Sequence, residues 1–181
     1  MQDNDKKKKV TRKPSRTLLL KEKNSSDNTS WFDKLPGLLN HSKTDNTGSH
    51  FLTFDNIENS QNALKVLKTD HDDKFMGKYA HYKIFFTMTN LDKDSDYNQI
   101  KENHIKFVEN NAKGNVLYYK LYRNNGFLGC GDLTVDTKDT LDLLLSQDKF
   151  KEFDIGNGNT GIFYKYNRRD KNNMNEMNAE N

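Results

Sequence analysis

Three observations predict an α+β fold. Segments whose apolar residues recur at every second position are interleaved with segments of helical period. The helical segments are preceded by Asp, Asn or Thr, side chains that can accept the first free amides of a helix. Hydrophobic residues make up 33% of the 181 positions, enough for one domain of ordinary size or two small ones sharing a core, with much of the chain left solvated.

The elements follow in order. "RTLLLKEK" reads as a first strand, and "SWFDKLPGLLN" as a short helix capped by Ser30, with Asp33 three residues on and Pro36-Gly37 interrupting it. "HFLTF" is a strand, after which Asp55 or Asn56 caps a helix whose inner face is Ile57, Ala63, Leu64 and Leu67. "YAHYKIFFTM" alternates for ten residues and reads as one long strand. Tyr97, Ile100, His104, Phe107 and Val108 form one helical stripe that ends at Gly114. The strands "VLYYKLYR" and "FLGCGDLTV" are joined by "NNG", a hairpin signal because Asn and Gly tolerate positive φ. Asp136 or Thr137 caps a helix with Leu141, Leu144 and Leu145 inward, and "GIFYKYN" closes the series as a strand.

From Lys78 to Asn167 this order is the ferredoxin-like βαββαβ plan. The strand and helix from Phe51 to Leu67 form an additional N-terminal β-α element that repeats half of the plan. The preferred reading is a degenerate duplication whose two units share the strand Tyr79 to Met88. The expected organisation is a basic tail over 1–15, an abbreviated unit over 16–78, a full unit over 79–168 and a second tail over 169–181, both tails disordered because they lack apolar period. The abundance of Asn and Lys is compatible with an AT-rich genome such as that of a protist or a large DNA virus.

Residues 48–54, "GSHFLTF", resemble the ribonucleoprotein consensus of the RNA recognition motif, Lys/Arg-Gly-Phe/Tyr-Gly/Ala-Phe-Val-x-Phe/Tyr. Gly48 falls at the glycine, Phe51 at the fifth-position aromatic, Leu52 at the aliphatic and Phe54 at the last aromatic. "DNIENSQNALKVL" looks like the helix that follows. The resemblance implies that Phe51 faces outward to stack on a base while Leu52 and Phe54 face the core; Ser49 stands where the family has its other stacking aromatic. In the second unit "FTMTNL" resembles the family's first-strand motif through Asn90-Leu91, with Thr87 in place of an aromatic. "NGFLGCGD" keeps Gly126 and Phe127 but has Gly129 at the stacking position and Asp132 at the last. The second unit thus resembles the fold without the usual binding chemistry.

Strand period gives its own account of what faces water. In "YAHYKIFFTM" Ala80, Tyr82, Ile84, Phe86 and Met88 share a core-like face, whereas Tyr79, His81, Lys83, Phe85 and Thr87 share the other. In "VLYYKLYR" Leu117, Tyr119 and Leu121 point inward, leaving Tyr118, Lys120 and Tyr122 outward. Rings beside ammonium groups suit bases beside phosphates, and each stack contributes about 1–3 kcal/mol. Tyr and Phe also favour strands for packing alone, so the same face could instead be covered by the segment with Trp31, Phe32, Leu35, Leu38 and Leu39.

Charge is modest overall, net +3 with 30% charged residues, but Lys6, Lys7, Lys8, Lys9, Arg12 and Lys13 crowd the N-terminus. Such an arm fits a nuclear import signal, a phosphate-backbone contact or simple solubilisation. One cysteine, Cys130, leaves no internal disulfide framework or cysteine zinc site, and it has no partnered histidine in its local sequence for nucleophilic work. His71, Asp72 and Asp73 lack a second ligand cluster, so no metal is expected. "GNGNTG" (Gly156 to Gly161) is followed by a strand rather than a helix, which makes it a turn and not a phosphate loop. No cofactor is implied. The longest apolar runs fall far short of about 20 residues, and the N-terminus has no signal-peptide core, so a soluble intracellular chain, nuclear or cytoplasmic, is expected.

Two functions follow from these residues. The first is non-catalytic binding of single-stranded RNA, or DNA, through Phe51, Tyr79, His81, Lys83, Phe85, Tyr118, Lys120 and Tyr122 together with the basic arm. The second is a protein-interaction or structural module whose sheet is covered by its own N-terminal segment, a partner or a second copy.

Overall fold

A computed structural model describes residues 12–23, 29–44, 47–89, 91, 95–123, 126–146, 153–154 and 159–166. Of the tail expected over 1–15, residues 12–15 are described and Ser15 is buried; the rest of it, the tail expected over 169–181 and half of the "GNGNTG" turn lie outside these residues. The chain divides into two compact units: the described residues of Met1–Tyr82 with Val135–Lys138, and those of Lys83–Thr134 with Asp139–Asn181.

The first unit comprises β1 (Thr17–Glu22), a 3-10 turn (Phe32–Lys34), β2 (Leu38–Thr44), β3 (Ser49–Phe54), α1 (Ile57–Asp70) and β4 (Phe75–Tyr79). The sheet order is β2-β3-β1-β4, every pair antiparallel. This is the ferredoxin-like order with the first helix reduced to the 3-10 turn. Asn56 caps α1 by accepting the amide of Asn59 at 2.8 Å. Ala63, Leu64 and Leu67 of α1 then meet Leu18, Leu20, Leu52, Phe54 and Phe75 of the sheet.

Two expectations are corrected in this unit. The helix expected after Ser30 is only one 3-10 turn, because Pro36 and Gly37 close it and the chain turns back as β2, an edge strand exposed along most of its length. Trp31, Phe32, Leu35 and Leu38 pack on the helix side of this sheet with Leu18, Leu20 and Phe75. The long strand Tyr79 to Met88 is two strands in two sheets. β4 ends at Tyr79, and after Ala80 and His81 a new strand begins.

The second unit comprises β5 (Tyr82–Met88), α2 (Tyr97–Ala112), β6 (Val116–Arg123), β7 (Phe127–Val135), α3 (Lys138–Leu145), β8 (Phe153–Asp154) and β9 (Thr160–Lys165). Its order is β6-β7-β5-β9-β8, the same plan with the two-residue β8 added at the edge. The sheet's inner residues Ile84, Phe86, Leu117, Leu121, Leu133 and Phe163 are buried together with Ile100, His104 and Val108 of α2 and Leu144 of α3. The fold is therefore α+β and ferredoxin-like, as the order of elements predicts. The first unit adds more than a β-α element: it carries its own four strands.

Candidate nucleic-acid interface

Which side chains face away from the helices follows from what their neighbours touch. In β5, Phe86 lies 4.7 Å from the His104 ring of α2, so alternation sends Lys83, Phe85 and Thr87 to the opposite face. In β6, Tyr119 bonds His104 through its hydroxyl and stacks with Phe86, which places Tyr118, Lys120 and Tyr122 opposite. In β9, Phe163 stacks on Phe153 and lies near Phe107 of α2, so Tyr164 is opposite as well. Tyr164 pairs across the strands with Phe85, their rings 6.3 Å apart. Tyr118 is 40% and Tyr164 44% exposed, so the rings on this helix-free face are accessible.

The charges on the face are not free. Lys83 Nζ lies 3.0 Å from Asp132 of β7 and 4.1 Å above the ring of Tyr166. Burial alone would lower the Lys83 pKa; the bonds to Asp132 and Tyr166 outweigh it and hold the group charged. The Tyr122 hydroxyl donates to the same carboxylate oxygen, a bond that, with burial, pushes the phenol pKa up. Lys120 Nζ sits 5.2 Å from the centre of the Tyr122 ring.

In the first unit Phe51 of β3 lies between Leu52 and His50, both buried on the helix side, and so points away from α1. Its cross-strand row runs Ser42, Phe51, Leu19, Lys78 over β2, β3, β1 and β4, with Lys21 and Met76 in the next row. Lys21, Ser42, Met76 and Lys78 are exposed. This face carries one ring flanked by ammonium groups.

The residues singled out in the sequence fall on more than one sheet face. Lys83, Phe85, Tyr118, Lys120 and Tyr122 share the face of the second unit, and Phe51 lies on the face of the first. Tyr79 is on the other side of the first sheet, pairing with Leu18 and packed on the core, because β4 ends there and the parity of β5 does not extend back to it. Burial raises its phenol pKa. His81 lies between strands and donates from Nε2 to the Lys13 carbonyl at 2.8 Å; burial lowers its pKa. Arg12 Nη1 donates to the Tyr79 carbonyl at 3.1 Å. Lys6, Lys7, Lys8 and Lys9 lie outside the described residues. Sequence reasoning missed Leu19, Lys78, Asp132, Tyr164 and Tyr166 as parts of these faces. For Tyr164 the signal was present, since Phe163 and Tyr164 alternate within a recognised strand; Lys78 was hidden because its strand was merged with the next.

Among the described residues no group of three His, Cys, Asp or Glu side chains is placed to hold a metal ion, and no helix is long and apolar enough to cross a membrane.

No family model matches the chain, and no curated protein matches it. Among solved structures it is similar to the Sxl-lethal protein/RNA complex, at 15% identity and a TM-score of 0.31 over 70% of this chain and 84% of that one. It is also similar to the NONO-1 homodimer of C. elegans, at 12% identity and a TM-score of 0.41 over 89% of this chain and 66% of that one. The ferredoxin-like character of the fold stands on the chain's own topology, the order β2-β3-β1-β4 in one unit and β6-β7-β5-β9 in the other.

Proposed function

We propose that this protein binds single-stranded nucleic acid, RNA foremost, without catalysis, and that the helix-free face of its second sheet is the main contact. One observation carries the reading: Phe85, Tyr118 and Tyr164 are brought by three strands to the side that no described helix of the unit occupies, with Tyr118 and Tyr164 accessible. Bases released from a duplex present π-faces that such rings stack on, at about 1–3 kcal/mol per base. Lys120 beside this face, Lys21 and Lys78 on the first unit, and the run Lys6 to Lys13 supply phosphate contacts whose strength falls as salt rises. Phe51 offers the first unit a single stacking position.

The test is a fluorescence anisotropy titration of the full chain with a labelled single strand and the matching duplex. Preference for the single strand, with affinity that falls with salt, supports the reading. Equal or absent binding of both overturns it.

A second reading has its own observation. Asp132 pairs with Lys83 in the middle of the second sheet and cancels the charge that a phosphate would seek there. That favours a protein partner or a second copy of the chain on this face, detected as a concentration-dependent change in mass in solution without nucleic acid.

A further inference from the structure

Asp132 lies on β7, between the strand of Phe85 and the strand of Tyr118, and is only 7% exposed although it faces away from the helices. Among the described residues its contacts fall on one oxygen: Oδ2 takes Lys83 Nζ at 3.0 Å and the Tyr122 hydroxyl. An ionised carboxylate has about four lone-pair sites, so about two remain. Lys83 has three N–H donors, spends two on Asp132 and Tyr166, and keeps one. The centre of the face is thus an ammonium donor beside a carboxylate acceptor.

A surface that only gripped phosphate would gain nothing from a carboxylate beside its central lysine. A base edge is another matter, because it presents donors and acceptors in fixed order. Guanine offers the O6 acceptor followed by the N1–H and N2–H donors. Adenine and cytosine each set one amino donor, for the carboxylate, beside one ring-nitrogen acceptor, for the ammonium, and leave the second vacant acceptor site unfilled. Uracil places its single N–H between two carbonyl oxygens. Of the four, guanine alone fills the donor and both vacant acceptor sites at once.

We propose that Asp132 and Lys83 form a guanine-selecting centre on the second sheet, Lys83 donating to O6 and Asp132 accepting from N1–H and N2–H, while neighbouring rings hold the base flat. The inference rests on the face being an RNA interface and goes beyond it by naming the base. Tyr122 is a positioning residue that holds the carboxylate in place. Asp132→Asn keeps the shape but turns one acceptor into a donor, the arrangement that pairs with the amino group and ring nitrogen of adenine.

The experiment measures binding of the full chain to uridine nonamers whose central residue is guanosine, inosine, adenosine, cytidine or uridine. The wild-type protein is expected to favour guanosine by about tenfold or more, from the discrimination of a bidentate pair. Inosine, which lacks only the N2 amino group, should lose much of that preference without any change to the protein. Asp132→Asn should abolish the guanosine preference and move it toward adenosine, with the fold checked by circular dichroism. Strands bound equally whatever the central base, or guanosine and inosine bound alike, would overturn the guanine centre while leaving the RNA interface intact. Failure of every strand to bind removes the interface and the centre with it.

Discussion

The Arg16 guanidinium grips the carboxylate of Asp136, with Nε 2.5 Å from Oδ2 and Nη2 3.1 Å from Oδ1, and the Asp136 side chain is fully buried. Ser15 adds a bond from its hydroxyl to the Asp136 carbonyl at 2.9 Å. The residues just before β1 are thereby fastened to a segment more than a hundred positions away in the sequence. Arg16→Ala removes this fork from a buried carboxylate, which costs about 3–5 kcal/mol. Urea unfolding followed by circular dichroism measures this; a loss below about 1 kcal/mol would mean that the fork is not what holds the segment.

His104 predicts how stability depends on pH. It is buried among Phe86, Tyr119 and Phe153, its Nδ1 lies near the Ile100 carbonyl and the Tyr119 hydroxyl, and burial lowers its pKa to about 4. The unfolded chain takes up this proton near pH 6.5 and the folded chain only near pH 4. Stability is therefore full above pH 6.5 and is lost as pH falls toward 4, by about 3 kcal/mol. Urea midpoints at pH 7 and pH 4.5 should differ markedly in the wild type and much less in His104→Leu. Equal pH dependence in both proteins would contradict the assignment.

Gly131 predicts a steric effect. A Cβ at this position of β7 would lie 2.2 Å from the Lys120 carbonyl oxygen and 2.6 Å from the tip of Phe86. The first obstacle is backbone of the adjoining strand and cannot step aside. Gly131→Ala should destabilise the protein by about 1–3 kcal/mol, read as a lower melting temperature. An unchanged melting temperature would show that β6 and β7 can separate freely.

The lysines of the first sheet predict a salt effect. Lys21 and Lys78 flank the Phe51 face on β1 and β4 and are exposed. If each contacts one phosphate, replacing both by Gln lowers the slope of log affinity against log salt by about 1.4, at about 0.7 per phosphate of a single strand. An unchanged slope would place the strand elsewhere.

Period and capping made the helices legible, and Asn56 caps α1 as one of the two candidates named. Two strands were hidden for physical reasons. β4, "FMGKY", carries a glycine that weakens any strand signal. Gly77 stands there because Leu67, Leu64 and Leu20 fill the space where its Cβ would project, with Leu67 Cδ2 2.2 Å away. β2, "LLNHSKT", is an edge strand whose polar residues face water on both sides, so it shows no alternation. The break between β4 and β5 contains neither Gly nor Pro; Ala80 and His81 pass from one sheet to the other with the apolar period uninterrupted, which is why Tyr79 was placed with Phe85. Within β5 and β6, where each strand stays in one sheet, alternation separates Phe86 from Phe85 and Tyr119 from Tyr118.

The measurement that bears most directly on the account is the affinity of the full chain for a labelled single-stranded RNA before and after Phe85→Ala with Tyr118→Ala. Both rings lie on the helix-free face, so the fold should survive, as circular dichroism would show. The expected loss is roughly 30-fold or more, from about 1–3 kcal/mol per lost stack. Wild-type affinity in the folded double variant would contradict it.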